Sequence, residues 1–250
     1  VALWAAYCRY YNELLLTNYI HDPGGTFWWH APLKKPVLDG QGHLHMGYWE
    51  GNDALKGAPI VVDASRVAAV NPGVLEVFVC EPDRVIMKAP PRPPLRWLTA
   101  DQPNRAIALL PETFDVERGV VVEGDVCVSP AINATIFPAT GLYLEEEAGK
   151  GKAVLFETWN QTEIGTLDLT GEPRFEAEDQ TGAGCATVAG IPCGQTCHFR
   201  LFFRKNIFEL YLDDLYVQTY VTGQATGRIG FVAQDGEVRF ERLQAWQMNL

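Results

Sequence analysis

Two carboxylates stand in turn motifs and could take part in the hydrolysis of a glycosidic bond. Asp22 lies in the motif His-Asp-Pro-Gly-Gly, and Glu81 lies between Cys80 and Pro82. A retaining glycosidase needs two carboxyl groups about 5 Å apart, one as the nucleophile and the other as the protonated acid. Both residues also fit ordinary turns, because Pro and Gly punctuate secondary structure. Asp22 and Glu81 are therefore the candidate catalytic residues, with structural turns as the alternative.

Aromatic and histidine residues are concentrated between residues 26 and 62 and could bind a sugar. The apolar face of a sugar ring stacks on an aromatic ring, while flanking polar groups bind the sugar hydroxyls. Trp28, Trp29, His30 and Trp49 form the predicted carbohydrate-binding set. Neighbouring residues of a strand point to opposite faces, so at least one of Trp28 and Trp29 is expected to be structural. A core or a domain interface is the alternative use of these side chains.

Histidines two apart in the same region could bind a metal ion. A hairpin over residues 37–49, with Asp39-Gly40 as its turn, is expected to place His43 and His45 on one face. With His30 nearby they could ligate a metal, but a polar cleft or a solvated sheet face explains them equally well. No metal and no cofactor is therefore predicted.

The six cysteines are too few for a disulfide scaffold in a chain of 250 residues. Cys185, Cys193 and Cys197, together with His198, match no paired zinc-ligand spacing. Reduced thiols packed in the protein are predicted. A bridge from Cys185 to Cys193 or Cys197 is the main alternative.

Composition and charge exclude several classes of partner. The chain is 47% hydrophobic and carries a formal net charge of −11, which argues against nucleic acid and against an anionic membrane surface. No apolar run is long enough for a transmembrane helix, and no Walker, Rossmann, G-x-S-x-G or H-E-x-x-H motif occurs. A sugar or oligosaccharide is the expected ligand. The first residue is Val, so we expect a processed or partial chain whose other partners are the rest of its own catalytic domain or further copies of itself; localisation, cytoplasmic or secreted, stays open.

The elements that must position these residues are mostly strands. Residues 198–220 alternate apolar and polar side chains in three runs, with turns at Lys205-Asn206 and Asp213-Asp214. This pattern predicts an antiparallel meander with one face toward a core and the other toward water. With the meander included, about ten or more short strands with turns every eight to twelve residues are typical of a sandwich or barrel, and a β-sandwich is predicted.

The chain is predicted to have two parts. Residues 1–20 carry Leu and Tyr at spacings of three and four, which suits an N-terminal helix, with a strand as the alternative. Four prolines within residues 89–97 cannot enter a sheet interior and indicate a stiff connector. We therefore expect an aromatic-rich region of helix and strands over residues 1–105 and a jelly-roll β-sandwich over residues 106–250, giving a mainly β fold.

A resemblance to a known family rests on the closing strands. The segment Phe199–Tyr220, followed by Gly227-Arg-Ile-Gly-Phe, resembles concanavalin-like modules, most of all those that follow the β-propeller in fructosidase-type glycoside hydrolases, family 32. Residues 28–44 are similar to a last propeller blade leading into such a module. The family's catalytic motifs are matched only in part: Asp22 lacks the Asn neighbours, Glu81 follows Cys80 where the family has Glu-Cys, and Arg-Asp-Pro is absent.

The resemblance implies a glycoside hydrolase acting on fructosides or related sugars. Five propeller blades need about 200 residues, whereas about 100 precede the sandwich, so a complete enzyme of this type does not fit. The leading hypothesis is the C-terminal portion of such an enzyme, with the sandwich as an accessory or sugar-binding module. A stand-alone lectin-like module and a structural or interaction sandwich without catalysis are the alternatives.

Overall fold

The structure is a computed structural model that describes residues 2–8, 11–21, 28–91, 103–130, 137–159, 161–178, 185–186 and 190–250. Within these ranges, the side chains of residues 2–7, 19–21, 28–30 and 185–186 lie outside the description. No helix of the described ranges is long and apolar enough to cross a bilayer.

Strands dominate the described part of the chain, as the alternating sequence pattern predicts. They are β1 (Ala2–Cys8), β2 (Glu13–His21), β3 (Trp28–His30), β4 (Lys34–Leu38), β5 (Leu44–Tyr48), β6 (Lys56–Ile60), β7 (Ala68–Ala69), β8 (Val77–Glu81), β9 (Arg84–Ala89), β10 (Arg105–Thr113), β11 (Val120–Val128), β12 (Ala139–Glu147), β13 (Lys150–Glu157), β14 (Gln161–Asp168), β15 (Arg174–Ala177), β16 (Cys185–Ala186), β17 (Thr196–Arg204), β18 (Ile207–Leu212), β19 (Leu215–Val221), β20 (Arg228–Gln234) and β21 (Gly236–Met248). Three short 3₁₀ helices span Glu50–Leu55, Ala64–Arg66 and Pro72–Val74.

Two antiparallel sheets form a sandwich. Over the described residues, the first sheet has 13 strands in the order β1-β2-β4-β5-β19-β18-β17-β11-β21-β9-β8, with β3 on β2 and β6 on β21. The second has eight, in the order β15-β14-β13-β12-β20-β10-β7, with β16 on β14. Their inner faces share one buried apolar cluster, in which Phe231 of β20 stacks on Phe240 of β21 at 4.1 Å between ring centroids. The predicted mainly β sandwich is confirmed.

The predicted meander is also confirmed, as β17, β18 and β19. Its turns use the left-handed conformation that tight hairpins require, at Lys205 (φ 55°) in the first and at Asp213 and Asp214 (φ 47° and 61°) in the second. In the first turn the positive φ falls on Lys205. Phe199 and Leu201 point inward and are fully buried.

The predicted N-terminal helix is wrong, because β1 and β2 pair as an antiparallel hairpin from Ala2↔Tyr19 to Cys8↔Glu13. The turn between them places Asn12 at φ 58°, a conformation that Asn tolerates. Where Leu and Tyr are this dense, apolar residues fit periods of both two and 3.6. Periodicity alone cannot distinguish a helix from a strand in such a segment, and long-range strand pairing determines which of the two forms.

The solvated outer face predicted for the meander is wrong for its central part. Phe202, Glu209 and Tyr211 point to that face, and each is 0% exposed. Tyr48, from the end of β5, covers them with its ring centroid 6.2 Å from that of Phe202 and 5.4 Å from that of Tyr211. Strands β1 to β5, which continue the first sheet through the pair Gly47↔Leu215, therefore fold back over part of its outer face, and this folded-back part is called the third layer.

A buried ion pair holds this third layer on the sheet. Lys34 Nζ lies 2.8 Å from the carboxylate of Glu209, and both side chains are 0% exposed. Glu209 also accepts hydrogen bonds from the hydroxyls of Tyr211 and Thr219, and Lys34 donates to the carbonyl of Pro32. Burial lowers the pKa of Lys34, and the charge of Glu209 opposes that shift. The pair is fully desolvated and well hydrogen-bonded.

Strands from both sides of the predicted domain boundary pair within the first sheet. β9 pairs with β21 from Ala89↔Gly236 to Arg84↔Glu241, and β5 meets β19 at Gly47↔Leu215. Most of the proline-rich connector, residues 92–102, lies outside the described residues. The division into residues 1–105 and 106–250 therefore stays a prediction.

Replacing Lys34 with Met should destabilise the protein by about 3–5 kcal/mol, because it leaves the Glu209 carboxylate buried without a counter-charge. The double variant K34M/E209Q should recover most of that loss, because Gln is neutral and its Oε1 can still accept from one of the two hydroxyls, Tyr211 or Thr219, while its Nε2 donates to the other. Urea unfolding followed by fluorescence measures both. The neighbouring K35M, which breaks the surface pair with Glu50, is the control and should cost less than about 1 kcal/mol. Equal losses for K34M and K35M would contradict the role of the buried pair.

Candidate functional site

Among the predicted site residues, Asp22 is not described, and Trp28, Trp29 and His30 are described by their backbone alone. Asp22 lies outside the described residues, so whether it approaches Glu81 stays untested. Strand β3 consists of Trp28, Trp29 and His30 and pairs with β2. The side chains of these three residues lie outside the description. Their roles in catalysis and sugar binding stay predictions.

Glu81 ends β8 at the hairpin turn into β9. Its Oε2 accepts a hydrogen bond from Arg84 Nη2 at 2.6 Å, and the two side chains are 44% and 36% exposed. Glu81 thus lies in a turn that connects two strands, which was the predicted alternative to a catalytic role. The carboxylate faces solvent and a guanidinium, and its catalytic role stays a prediction.

Trp49 is buried, with 8% of its surface exposed, and packs edge-on against Tyr11 at 4.7 Å between ring centroids. It lines a cavity of about 360 Å³ between the 3₁₀ helix Glu50–Leu55 and the end of β21. The lining is mostly apolar, and the amide of Asn52 within it is engaged by the backbone of Leu33. Few groups here are placed to bind sugar hydroxyls, so Trp49 as a stacking platform stays a prediction.

The predicted pair of histidines does lie together. His43 Nδ1 and His45 Nε2 contact the same oxygen of Asp39, at 3.1 and 3.0 Å. These hydrogen bonds, that of His45 foremost, hold the pKa of Asp39 below its usual range. Among the side chains described, no three of His, Cys, Asp or Glu are grouped so as to hold a metal ion. Asp39 thus closes the β4–β5 turn and orders both rings.

The cysteines described are free thiols, both Cys193 in an exposed position and Cys197 in a buried one. The side chain of Cys185 lies outside the description, so the alternative of a bridge from it stays a prediction. Burial raises the pKa of Cys197. This thiol behaves as a small core residue.

A group of charged side chains occupies the outer face of the first sheet, next to the part that the N-terminal strands cover. Glu123 and Asp125 lie two apart on β11, directly opposite Arg200 and His198 on β17. Adjacent strands are about 4.8 Å apart, so the four side chains form one compact layer. With Arg242 of β21 they are called the His198 cluster.

The imidazole of His198 stands between the two carboxylates. Its Nδ1 lies 3.0 Å from Asp125 Oδ1 and its Nε2 lies 4.0 Å from Glu123 Oε2. Arg200 donates to Glu123 and, at 2.6 Å, to Asp214, while its guanidinium lies 3.6 Å above the ring of Tyr48. Each of the buried charges is thus paired.

A β-bulge brings the fifth member to the cluster. The register between β11 and β21 shifts between Glu123 and Asp125, and Arg242 takes φ 53° there. A bulge redirects the side chain that it carries. The guanidinium of Arg242 contacts Asp125 while 76% of the side chain stays exposed. Arg242 therefore forms the solvent edge of the cluster.

Burial lowers the pKa of His198 from its ordinary value of 6.5, and the charge of Arg200 adds to this effect, while Glu123 opposes it. The ring is therefore neutral near pH 7. A neutral imidazole that donates from Nδ1 to Asp125 keeps Nε2 as an acceptor. Since its side chain is 37% exposed, His198 can accept a hydrogen bond from a ligand at Nε2.

Donors and acceptors alternate across this face within a few ångströms. The carboxylates of Glu123 and Asp125 are 5% and 4% exposed and are held by their partners. Sequence reasoning assigned the strands but missed the cluster, since the polar residues read as a solvated face. The available signal was the period-two pattern of Glu123 with Asp125 and of His198 with Arg200, which places each pair on one side of its strand.

No family model and no curated protein matches the chain. Sucrose-6-phosphate hydrolase from Lactobacillus gasseri matches at TM-score 0.52 and 10% identity, over 100% of this chain and 41% of that chain. A Bacillus subtilis protein of unknown function with a galectin-like fold matches at TM-score 0.50 and 9% identity, over 77% of this chain and 97% of that chain. The carbohydrate-binding module CBM66 from Bacillus subtilis matches at TM-score 0.46 and 12% identity, over 65% of this chain and 86% of that chain.

These likenesses, at such low identity, concern the fold alone. The chain has a galectin-like β-sandwich, which confirms the predicted lectin-like architecture. It spans 41% of the length of the hydrolase, and membership of family 32 stays a proposal.

The variant H198N should flatten the pH dependence of stability below about pH 6.5. Because the pKa of His198 is lower in the folded than in the unfolded state, the unfolded chain binds more protons there, and stability falls as the pH falls through that window. Urea unfolding of wild type and variant between pH 5 and 8 measures the difference in slope. Parallel curves for the two proteins would contradict the lowered pKa.

Proposed function

We propose that this protein binds carbohydrate and that the His198 cluster is its ligand-binding face. The observation that carries the proposal is the alternation of donors and acceptors in a cluster whose solvent edge is formed by His198, 37% exposed, and Arg242, 76% exposed. Neighbouring hydroxyls of a sugar both donate and accept, so they match such a surface. The fixed geometry also reduces the entropy that ordering these side chains would cost on binding.

The charge of the cluster indicates a neutral ligand. The carboxylates of Glu123 and Asp125 balance the guanidiniums of Arg200 and Arg242, and the imidazole is neutral near pH 7. A charged ligand would therefore gain little net Coulomb energy here. With a net charge of −11 over the chain, a polyanion would be repelled at longer range.

We further propose that the chain is the C-terminal portion of a glycoside hydrolase acting on fructosides or related sugars, with the sandwich as its accessory module. The likeness of the whole chain to part of a sucrose-6-phosphate hydrolase supports this reading. A stand-alone lectin-like module is the alternative with the same ligand-binding face.

A structural role without a ligand is the second candidate. Lys56 Nζ, from β6, lies 2.8 Å from Glu123, so one carboxylate of the cluster also joins two strands of the first sheet, β6 and β11. Asp125 and Arg242 have no share in that contact. Their variants therefore separate ligand binding from structural attachment.

Replacing Arg242 with Ala should weaken the binding of a recognised oligosaccharide about tenfold, because an exposed charge-assisted donor is lost. H198A should have a similar effect. Calorimetric titration of inulin, levan and other neutral oligosaccharides measures the dissociation constants. Arg174, 69% exposed on β15 of the other sheet, provides the control R174A, which should leave them unchanged. If R242A and H198A bind like wild type, the cluster is not the binding face.

The chain of 250 residues should not hydrolyse sucrose, inulin or aryl glycosides, since the accessory role places catalysis elsewhere. Product assays with and without E81Q test this expectation. Hydrolysis that E81Q abolishes, with unchanged stability, would instead assign catalysis to this chain.

A further inference from the structure

Two large aromatic side chains remain exposed at one end of the second sheet. Phe137 is 49% exposed and Trp159 is 57% exposed, and their rings are nearly parallel, 5.7 Å apart between centroids at 19°. Phe137 precedes β12 and Trp159 follows β13. Because Ala139 pairs with Glu157 in those strands, both rings lie at the same edge.

Exposure of this pair contrasts with the other tryptophans whose side chains are described. Trp49 is 8% exposed and Trp246 is half-buried, with Lys56 4.8 Å above its ring. Leaving Trp159 and Phe137 in water forgoes about 25 cal/mol for each Å² of apolar surface that could be buried. A pair of exposed, near-parallel rings therefore points to a surface that binds a partner.

We propose that Phe137 and Trp159 form a second carbohydrate subsite, on which one ring of a neutral oligosaccharide stacks. This inference rests on the proposed carbohydrate-binding function. The near-parallel rings offer a flat apolar surface to the C–H face of a sugar, and the indole N–H of Trp159 can donate to a hydroxyl.

Charge selects the sugar over a nucleobase, which would stack on the same rings. Nucleic-acid binding requires basic side chains that track phosphates, whereas this chain has 31 acidic and 20 basic residues. The subsite lies on the second sheet and the His198 cluster on the first, so their variants act independently.

Titration of wild type, W159A, F137A and W159F with neutral oligosaccharides, followed by calorimetry and by tryptophan fluorescence, tests the subsite. W159A should weaken binding of a recognised oligosaccharide about three- to tenfold and remove the ligand-dependent fluorescence change, since the larger of the two stacking surfaces is lost. W159F should retain most of the affinity. The matched control is L38A, which removes a side chain that is 68% exposed in the β4–β5 hairpin and should change nothing.

The outcomes distinguish this inference from the function of the His198 cluster. If R242A weakens binding and W159A and F137A do not, the subsite is overturned while the cluster stands. If W159A weakens binding and R242A does not, the His198 cluster is overturned as the binding face while the subsite stands. Binding of single-stranded DNA through Trp159, or a change in oligomeric state in W159A measured by light scattering, overturns the sugar subsite in favour of a nucleic-acid or self-association surface. A wild type that binds no sugar of the panel overturns both proposals.

Discussion

The fully buried carboxylate of Glu209 is the constraint on which the arrangement of the N-terminal strands depends. A carboxylate in the middle of a sheet face is stable without water only if a counter-charge and hydrogen-bond donors replace the solvent. Lys34 of β4 supplies the charge, and Tyr211 and Thr219 supply donors. Asn18 of β2 extends the network through Thr219 at 3.0 Å. The third layer is thus bound to the sheet by polar contacts as well as by the apolar packing around Tyr48.

The edge of this layer determines where the first sheet can meet a ligand. Phe202 and Tyr211 lie under the third layer and are fully buried. His198 and Arg242 lie outside it and are open to solvent. Glu123 lies at the border, held by Arg200 of β17 and by Lys56 of β6, two strands of the first sheet. The layer and the proposed binding face meet at Arg200, whose guanidinium lies 3.6 Å above the ring of Tyr48. A ligand would meet side chains whose positions are already set.

The aromatic residues divide in a way that composition does not show. The N-terminal half has the higher density, yet Trp49 is buried beside an apolar cavity and Tyr48 covers the sheet. Trp159, from a region read only as strands, carries the most exposed indole of the side chains described. A segment with many aromatic residues has much apolar surface to bury in the core. Exposure after folding is what separates a binding surface from a core.

The sequence by itself determined the fold class and most of the strands of the sandwich. Period-two alternation and turn residues suffice for β17 to β19 and for β11, because those signals lie within a few residues of one another. Tertiary structure alone decided that β1 and β2 pair as a hairpin, that the sheet face carrying Glu209 is shielded from water, and that Glu123, Asp125, His198 and Arg242 meet. Those features depend on pairing between segments far apart in the chain, and local periodicity carries no information about which strands become neighbours or what covers them.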